Sequence, residues 1–256
     1  MARAKRIHII NLGIKTEVRW TLLMQALASR NECPLESLSI TAVGTCSTQM
    51  ESACKWLMSF AETMNLPFSF MMVTVSDMFD LIEDQFEIDA KERVAIFSEF
   101  FMWTMIPQPD CLDSLMKVIR KFNPCVMVII EVESNLNAPG YSVVVAEGEE
   151  RKGRHVKIDV WRAFLSRFGM EEKELSMSSL YQAYLVVKKF ACGNFCTLDM
   201  NEKSLIIGWK GTPLHSLSKL MVINVLSFFP DCEDLDVEDV AGANDNSLFS
   251  HLFYPF

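Results

Sequence analysis

The chain has 256 residues, of which 50% are hydrophobic and 22% are charged, and its formal net charge is −9. This composition excludes general disorder, because enough apolar surface is available for a large core. The negative charge argues against a protein whose main task is to neutralise nucleic-acid phosphates. No apolar run reaches the roughly 18 residues of a membrane span, and we expect no membrane contact.

The first unit of the chain is a strand, a glycine and a helix. Residues 6–12 are apolar and rich in β-branched isoleucine, Gly13 follows, and residues 18–30 carry apolar side chains at helical spacing. This order predicts the start of an α/β domain. A phosphate-binding turn would have Gly-x-Gly-x-x-Gly, so the single glycine predicts an ordinary strand end without a cofactor.

Strands and helices then alternate as far as residue 132. Further strands are predicted at 38–43, 68–75, 93–97 and 126–132, and helices at 48–64 and 112–122, with a short helix or loop at 78–86. The strand at 68–75 is nearly all apolar, which predicts burial on both faces. Four strand–helix repeats predict a doubly wound α/β domain with a mostly parallel sheet and flanking helices.

The alternation is interrupted after the fifth strand. An apolar run at 142–146 begins about nine residues later, and a parallel crossover needs about a dozen residues or more. Pro139 and Gly140 form a turn signal that allows a hairpin. A missing helical segment is the alternative.

The C-terminal part of the chain predicts two helices, a hairpin and a tail. The helices are expected at 156–168, closed by Gly169, and at 179–190. Residues 196–200 and 204–208 flank a polar turn and predict a β-hairpin. Residues 231–246 then carry seven acids and no base, which predicts a disordered acidic tail.

Candidate catalytic and metal-binding residues are few. The four histidines have no partner at zinc-ligand spacing, and His8 is expected to be a hydrogen-bonded core residue. Cys192 and Cys196 lack a second cysteine pair. Glu131 and Glu133 end the fifth strand, where polar residues at the rim are the favoured interpretation. We predict no catalytic residue, metal or cofactor, and no enzyme.

A basic patch is the candidate for contact with DNA or a partner. It consists of Lys152, Arg154, Lys157 and Arg162. Such groups are more typical of a solvated helix face than of a phosphate track, particularly in a chain with this net charge.

Several motifs, in order, resemble those of plant GRAS-domain transcriptional regulators. Residues 7–11 (Ile7, His8, Ile9, Ile10 and Asn11) resemble the VHIID motif, and residues 20–30 resemble the helix that accompanies it. Later matches to the PFYRE and SAW regions include Arg151, Arg154, Trp161, Gly169 and Trp209. The resemblance covers roughly residues 5 to 218, and within the family it is nearest to the scarecrow-like and gibberellin-response regulators.

The resemblance implies a Rossmann-like fold, similar to that of methyltransferases, and a nuclear protein that regulates transcription. Its partners would be other transcription factors, with DNA contacted directly or indirectly. The expected divisions are an N-terminal arm (1–5), a partial GRAS domain (6–219) and an unrelated flexible tail (220–256).

This chain departs from the family pattern at three places. Asn11 replaces an aspartate, a helical segment is missing after Asn137, and Leu220 stands where a tryptophan is expected. The N-terminal helical cap and leucine-heptad region are also not seen, which suggests a truncated member. Two alternatives stay open: a small-molecule methyltransferase of the S-adenosylmethionine type, and a non-functional truncated product.

Overall fold

A computed structural model describes residues 4–14, 18–31, 33–133 and 155–223. Their strands form one nine-stranded sheet in the order β3-β2-β1-β4-β5-β9-β8-β7, with β6 also paired to β9. The strands are β1 (Arg6–Leu12), β2 (Ser37–Gly44), β3 (Phe68–Thr74), β4 (Arg93–Glu99), β5 (Val126–Val132), β6 (Met170–Lys173), β7 (Cys196–Asn201), β8 (Ser204–Trp209) and β9 (Thr212–Val222). The α-helices are α1 (Val18–Ala28), α2 (Ser47–Thr63), α3 (Pro109–Lys121), α4 (Ile158–Ser166) and α5 (Met177–Lys189).

The first five strands form a parallel half with β1 at its centre. β1 pairs with β2 on one side and with β4 on the other, and β5 extends the sheet beyond β4. Helices α1 and α2 pack on one face of the sheet, and α3 and α4 pack on the other. The predicted Rossmann-like fold, with its mostly parallel sheet and flanking helices, is confirmed.

The last four strands form an antiparallel half. β9 runs antiparallel to β5, and on its other side it pairs with β8 and, further along, with β6. The predicted hairpin is present as β7 and β8. β6 and β9 were not predicted, because β6 is a short charged stretch and β9 interrupts its apolar pattern with Pro213, His215 and Lys219.

Helix α5 covers the antiparallel half on the same face as α1 and α2. Its residue Ala183 packs with Leu205 and Leu217 from β8 and β9, and Phe97 borders both this cluster and the one beneath α1. α5 therefore lies along β8 and β9, and its outer side faces away from the sheet.

The prediction that residues 68–75 are buried on both faces is wrong. These residues form β3, which has β2 as its one neighbour in the sheet. Ser69, Met72 and Thr74 are exposed, and Val73 is the one residue of the strand that is buried. An apolar run does not distinguish an edge strand from a central one, since the residue types are the same.

Two predictions concern residues outside the described part. The interruption at 134–154 and the acidic tail at 231–246 both lie there. The expected domain boundary at residue 220 stays a prediction, although β9 continues through Val222. Leu220 is 2% exposed, so an apolar side chain fills this position in the core.

Candidate functional site at the carboxyl rim of the sheet

The carboxyl ends of β1, β4 and β5 lie side by side, where the strand order reverses about β1. In open α/β sheets, ligands bind in the crevice outside this point. We call residues 11–14, 97–103 and 130–133 the carboxyl rim. If this chain binds a small cofactor in the manner of its fold, the rim is where the cofactor would lie.

The turn after β1 is closed by an aromatic ring. Gly13 has a φ of 68°, and a Cβ added at this residue would overlap the ring of Phe101. Phe100 also has a positive φ, 46°, and its N–H donates to the carbonyl of Ile130 at 2.8 Å. The ring of Phe101 therefore occupies the space through which a phosphate would approach the turn.

An ion pair fills the rim between α1 and β4. Arg19 Nη2 donates to Glu99 Oε2 at 2.5 Å, and the side chains are 6% and 9% exposed. The guanidinium also lies 4.6 Å from the centre of the Phe97 ring, which Trp20 meets edge-to-face at 5.2 Å. The acid at the end of β4 is thus neutralised within the protein and is not free for a ligand.

The acids at the end of β5 accept hydrogen bonds from backbone N–H groups. Glu131, 1% exposed, accepts from the N–H of Met102 at 2.9 Å, and Glu133 accepts from the N–H of Ile158 at 2.8 Å, at the start of α4. Burial raises the pKa of Glu133, and the hydrogen bond from Ile158 opposes this shift. Both acids therefore orient helical turns, in keeping with the favoured interpretation of polar residues at the rim.

His215 of β9 borders the rim and stays neutral. Its ring lies 4.9 Å from that of Phe100, and its Nδ1 has no hydrogen-bond partner among the described residues. Burial lowers its pKa to about 4, while the charge of Glu99 acts in the opposite direction. At neutral pH this imidazole is uncharged and packs as an aromatic ring.

His8 lies in a buried polar network, as predicted. Its Nδ1 is 2.8 Å from Glu92 Oε2 and its Nε2 is 2.7 Å from Thr41 Oγ1. Ser39 donates to the other oxygen of Glu92 at 3.0 Å, and Ser69 donates to Ser39. Burial raises the pKa of Glu92, but the hydrogen bonds from His8 and its neighbours outweigh burial and lower it overall. This network ties β1, β2 and β3 to the residue before β4.

The other motif residues have structural positions. Ile7, Ile9, Ile10 and Asn11 are at most 4% exposed, Trp161 is 2% exposed in the core, and Gly169 has a φ of 66° at the end of α4. Trp209 is half-buried, and its ring centre lies 5.5 Å from that of Phe195.

Two residues of the predicted basic patch, Lys157 and Arg162, lie within the described part of the chain. Arg162 forms ion pairs with Asp159, Glu172 and Glu202 at 2.8 to 3.3 Å, and its Nη2 also donates to Asn201. Three carboxylates therefore compete with any phosphate for this guanidinium. Lys157 is exposed.

Lys152 and Arg154, the other two patch residues, lie outside the described residues. Arg151 of the motif set lies outside them as well. The patch stays a prediction.

Clustered metal ligands and membrane-spanning helices are both absent from the described ranges. No group of three or more His, Cys, Asp or Glu there is arranged to hold a metal ion. No helix within these ranges has both the length and the apolar character to cross a membrane.

Sequence reasoning missed the two features that fill the rim. Arg19 and Glu99 are 80 residues apart, and nothing in their local sequence links them. Phe101 follows a strand as one aromatic residue in an apolar stretch, which is the ordinary appearance of a core residue. Arg19 is the one charged residue of α1, and this was the available signal of a buried partner.

Relatives of known sequence agree with the motifs. DELLA protein GAI1 of Vitis vinifera is 26% identical over 267 residues, which cover 86% of this chain and 45% of that protein. DELLA protein RGL1 of Arabidopsis thaliana is 23% identical over 256 residues, which cover 85% of this chain and 50% of that protein. The chain spans about half the length of the curated relatives it matches.

Solved structures agree with the fold. SCL7 of Oryza sativa has a TM-score of 0.74 at 20% identity, covering 86% of this chain and 74% of that chain. The small RNA methyltransferase HEN1 has a TM-score of 0.51 at 10% identity, covering 86% of this chain and 23% of that chain. The model of the GRAS domain family matches residues 1–142 and 141–219. Because these matches extend over most of its length, the chain belongs to the GRAS domain family.

Proposed function

We propose that this chain is a regulator of transcription that acts in the nucleus through contacts with other transcription factors, and that it is not an enzyme. Its membership of the GRAS domain family supports a regulator. The filling of the carboxyl rim by Phe101 and by the Arg19–Glu99 pair supports the absence of catalysis, and it is the observation that carries this proposal.

The energetics of the rim explain why the filling matters. A cofactor at the turn after β1 would have to displace the Phe101 ring and separate Arg19 from Glu99. Breaking a buried ion pair costs about 3–5 kcal/mol, because one charge is left without a partner in a low-dielectric site. A ligand would have to recover this cost before gaining any net affinity.

A tethered reporter assay tests the regulatory part of the proposal. The full chain is fused to a heterologous DNA-binding domain with a fluorescent tag and expressed in plant protoplasts that carry the matching reporter. We expect nuclear fluorescence and a several-fold change in reporter output relative to the DNA-binding domain alone. A fusion that is nuclear and abundant but leaves the reporter unchanged contradicts the proposal.

A methyltransferase is the second candidate, and the likeness of the fold to that of HEN1 favours it. Titration calorimetry of the full chain with S-adenosylmethionine decides between the two. We expect no binding heat up to millimolar cofactor, because the crevice at the carboxyl rim is filled. Saturable heat at one cofactor per chain would favour the enzyme instead.

Direct contact with DNA through the basic patch is the alternative to contact through other transcription factors, and Lys157 is an exposed residue of that patch. Binding through phosphates weakens steeply with salt, because each neutralised phosphate releases a counterion. Fluorescence anisotropy with a labelled duplex at two salt concentrations measures this slope. A flat response would rule the patch out and leave protein contacts as the route to DNA.

A further inference from the structure

The negative charge of the chain is concentrated in its last residues. Residues 1–219 carry 24 Lys and Arg against 26 Asp and Glu, and they contain every base in the chain. The other seven acids all lie in residues 231–246. The net charge of −9 is therefore mainly a property of this acidic segment and not of the folded domain.

The antiparallel half has the opposite local charge. From Leu175 to Leu198 the sequence has no acid, and Lys188 and Lys189 occupy the last turn of α5. Lys210 follows β8 in the turn before β9. Within the described residues, none of these three lysines lies within ion-pair distance of a carboxylate.

Exposed aromatic and methionine side chains lie beside these lysines. Met177, Tyr181 and Tyr184 follow at positions i, i+4 and i+7 on the outer side of α5 and are 80%, 59% and 52% exposed. Lys188 Nζ lies 5.8 Å from the centre of the Tyr184 ring. Apolar side chains in a row on a soluble helix are typical of an interaction surface.

The turn that follows α5 continues this surface toward β9. The N–H of Gly193 donates to the carbonyl of Phe190 at 2.8 Å, and that of Lys210 donates to the carbonyl of Phe195 at 2.6 Å. Phe195 is 48% exposed, and Lys210 Nζ lies 5.0 Å from its ring centre. We call Met177, Tyr181, Tyr184, Lys188, Phe195 and Lys210 the lysine–aromatic face.

We propose that the lysine–aromatic face binds the acidic segment at residues 231–246 of the same chain. The acids of this segment alternate with Leu235, Val237 and Val240, so one extended stretch offers carboxylates to the lysines and apolar side chains to the aromatic rings. Aromatic residues flanked by cations suit such a partner, because charge complementarity guides the approach and ring contacts supply affinity.

The geometry of the connection allows this contact. The last described residue is Ile223, next to the end of β9 that pairs with β6, and α5 begins shortly after β6. Lys210 lies at the opposite end of β9, about 36 Å away at about 3.3 Å per strand residue. Residues 224–239 reach about 54 Å when extended, so the acids can lie along α5 as far as Lys210.

Attachment to the same chain favours this occupant over an external one. A short connection within one chain gives an effective concentration in the millimolar range, so a weak contact is sufficient to keep the face occupied. An external acidic peptide at micromolar concentration would have to bind much more tightly to displace it.

Native thiols allow a direct test with the full chain. Cys192 is exposed beside Phe195, Cys232 lies in the acidic segment, and Cys46 is exposed at the start of α2 as a reference. The chain is treated briefly with a short bismaleimide, and linked peptides are quantified by mass spectrometry. We expect the Cys192–Cys232 link to exceed the Cys46–Cys232 link about tenfold, and the excess to fall in high salt.

Charge-reversed variants show whether the Cys192–Cys232 link depends on docking at the lysines or only on the short connection between the two cysteines. The variant Lys188→Glu/Lys189→Glu/Lys210→Glu should lose most of the Cys192–Cys232 link. The matched variant Lys55→Glu/Lys91→Glu/Lys117→Glu, with equal charge change on exposed residues elsewhere, should keep it. Adding Asp234→Lys, Asp236→Lys and Glu238→Lys to the first variant should restore it.

Two outcomes overturn the proposal. One is a link that responds equally to the two charge-reversed variants, or to neither of them. The other comes from a mixture of isotopically labelled and unlabelled chains: if most Cys192–Cys232 links join one labelled and one unlabelled chain, the face binds a second copy instead of its own segment.

Discussion

The carboxyl rim and the lysine–aromatic face differ in the exposure of their charged and aromatic side chains. At the rim, Arg19 and Glu99 are buried against each other and Phe101 closes the turn at Gly13. On the face, Tyr181 and Tyr184 are more than half exposed. The fold thus closes the crevice where open α/β sheets bind ligands, and it presents the lysine–aromatic face on the antiparallel half. This arrangement supports the proposed contacts with other macromolecules over the alternative of small-molecule chemistry.

The largest effect is expected from breaking the rim ion pair. Arg19→Met leaves Glu99 charged and buried, so the free energy of unfolding should fall by about 3–5 kcal/mol. Urea denaturation followed by circular dichroism measures this loss. The double variant Arg19→Met/Glu99→Leu is the control, and it should recover most of the stability because no charge is left unpaired. A loss below about 1 kcal/mol for the single variant would mean that the rim is open to water.

The half-buried His215 makes the free energy of unfolding depend on pH. Its pKa is about 4 in the folded chain and about 6.5 when unfolded. Between these values the unfolded chain binds a proton that the folded chain does not. The contribution of neutral His215 to the free energy of unfolding is therefore fully present above pH 6.5 and is lost as the pH falls toward 4. From pH 7 to pH 5 the loss should be about 2 kcal/mol.

Denaturation of His215→Phe at the two pH values isolates this contribution. The variant should show a smaller fall in stability than the wild type, by the same amount. Other groups, including Glu92, titrate in both proteins and cancel in the comparison. Equal pH dependence in the two chains would place His215 in contact with water, contrary to its burial.

Alanine substitutions at two glycines test how firmly the Phe101 ring is packed against the turn after β1. Gly13 and Gly211 both have a positive φ, but an added Cβ meets the Phe101 ring at Gly13 and nothing within 4 Å at Gly211. Gly211→Ala should cost about 1 kcal/mol for the backbone conformation alone. Gly13→Ala should cost about 3 kcal/mol, since overpacking against the ring is added. Equal costs in thermal or urea unfolding would show that the ring moves aside easily.

The sequence predicted the parallel half well and the rim poorly, for physical reasons. Apolar periodicity and a single glycine define β1 and α1, and the apolar run 126–130 defines most of β5, because local burial sets these patterns. The Arg19–Glu99 pair depends on the three-dimensional approach of two distant segments. β9 escaped prediction because the buried Lys219 and the half-buried His215 interrupt its apolar pattern, and the neighbouring segments that cover them are distant in the sequence.

His8 was correctly predicted to be a hydrogen-bonded core residue, and the structure identifies its partners. A histidine inside an apolar strand needs partners for both ring nitrogens, and Glu92 and Thr41 supply them. The sequence indicated that partners were needed but did not identify them. The lysine–aromatic face was missed for a related reason: its parts, α5 and the residues around Phe195 and Lys210, come together only through the fold.

The smallest effect on stability is expected on the lysine–aromatic face. Tyr181→Ala/Tyr184→Ala removes two large side chains, but both are exposed, and alanine favours the helix. The free energy of unfolding should therefore change by less than about 0.5 kcal/mol per residue, whereas Trp161→Ala in the core should cost about 3–5 kcal/mol. The same double variant should nevertheless weaken the Cys192–Cys232 link. A large loss of stability instead would mean that the two tyrosines pack against other parts of the chain, and the contrast between a closed rim and an open face would then fail.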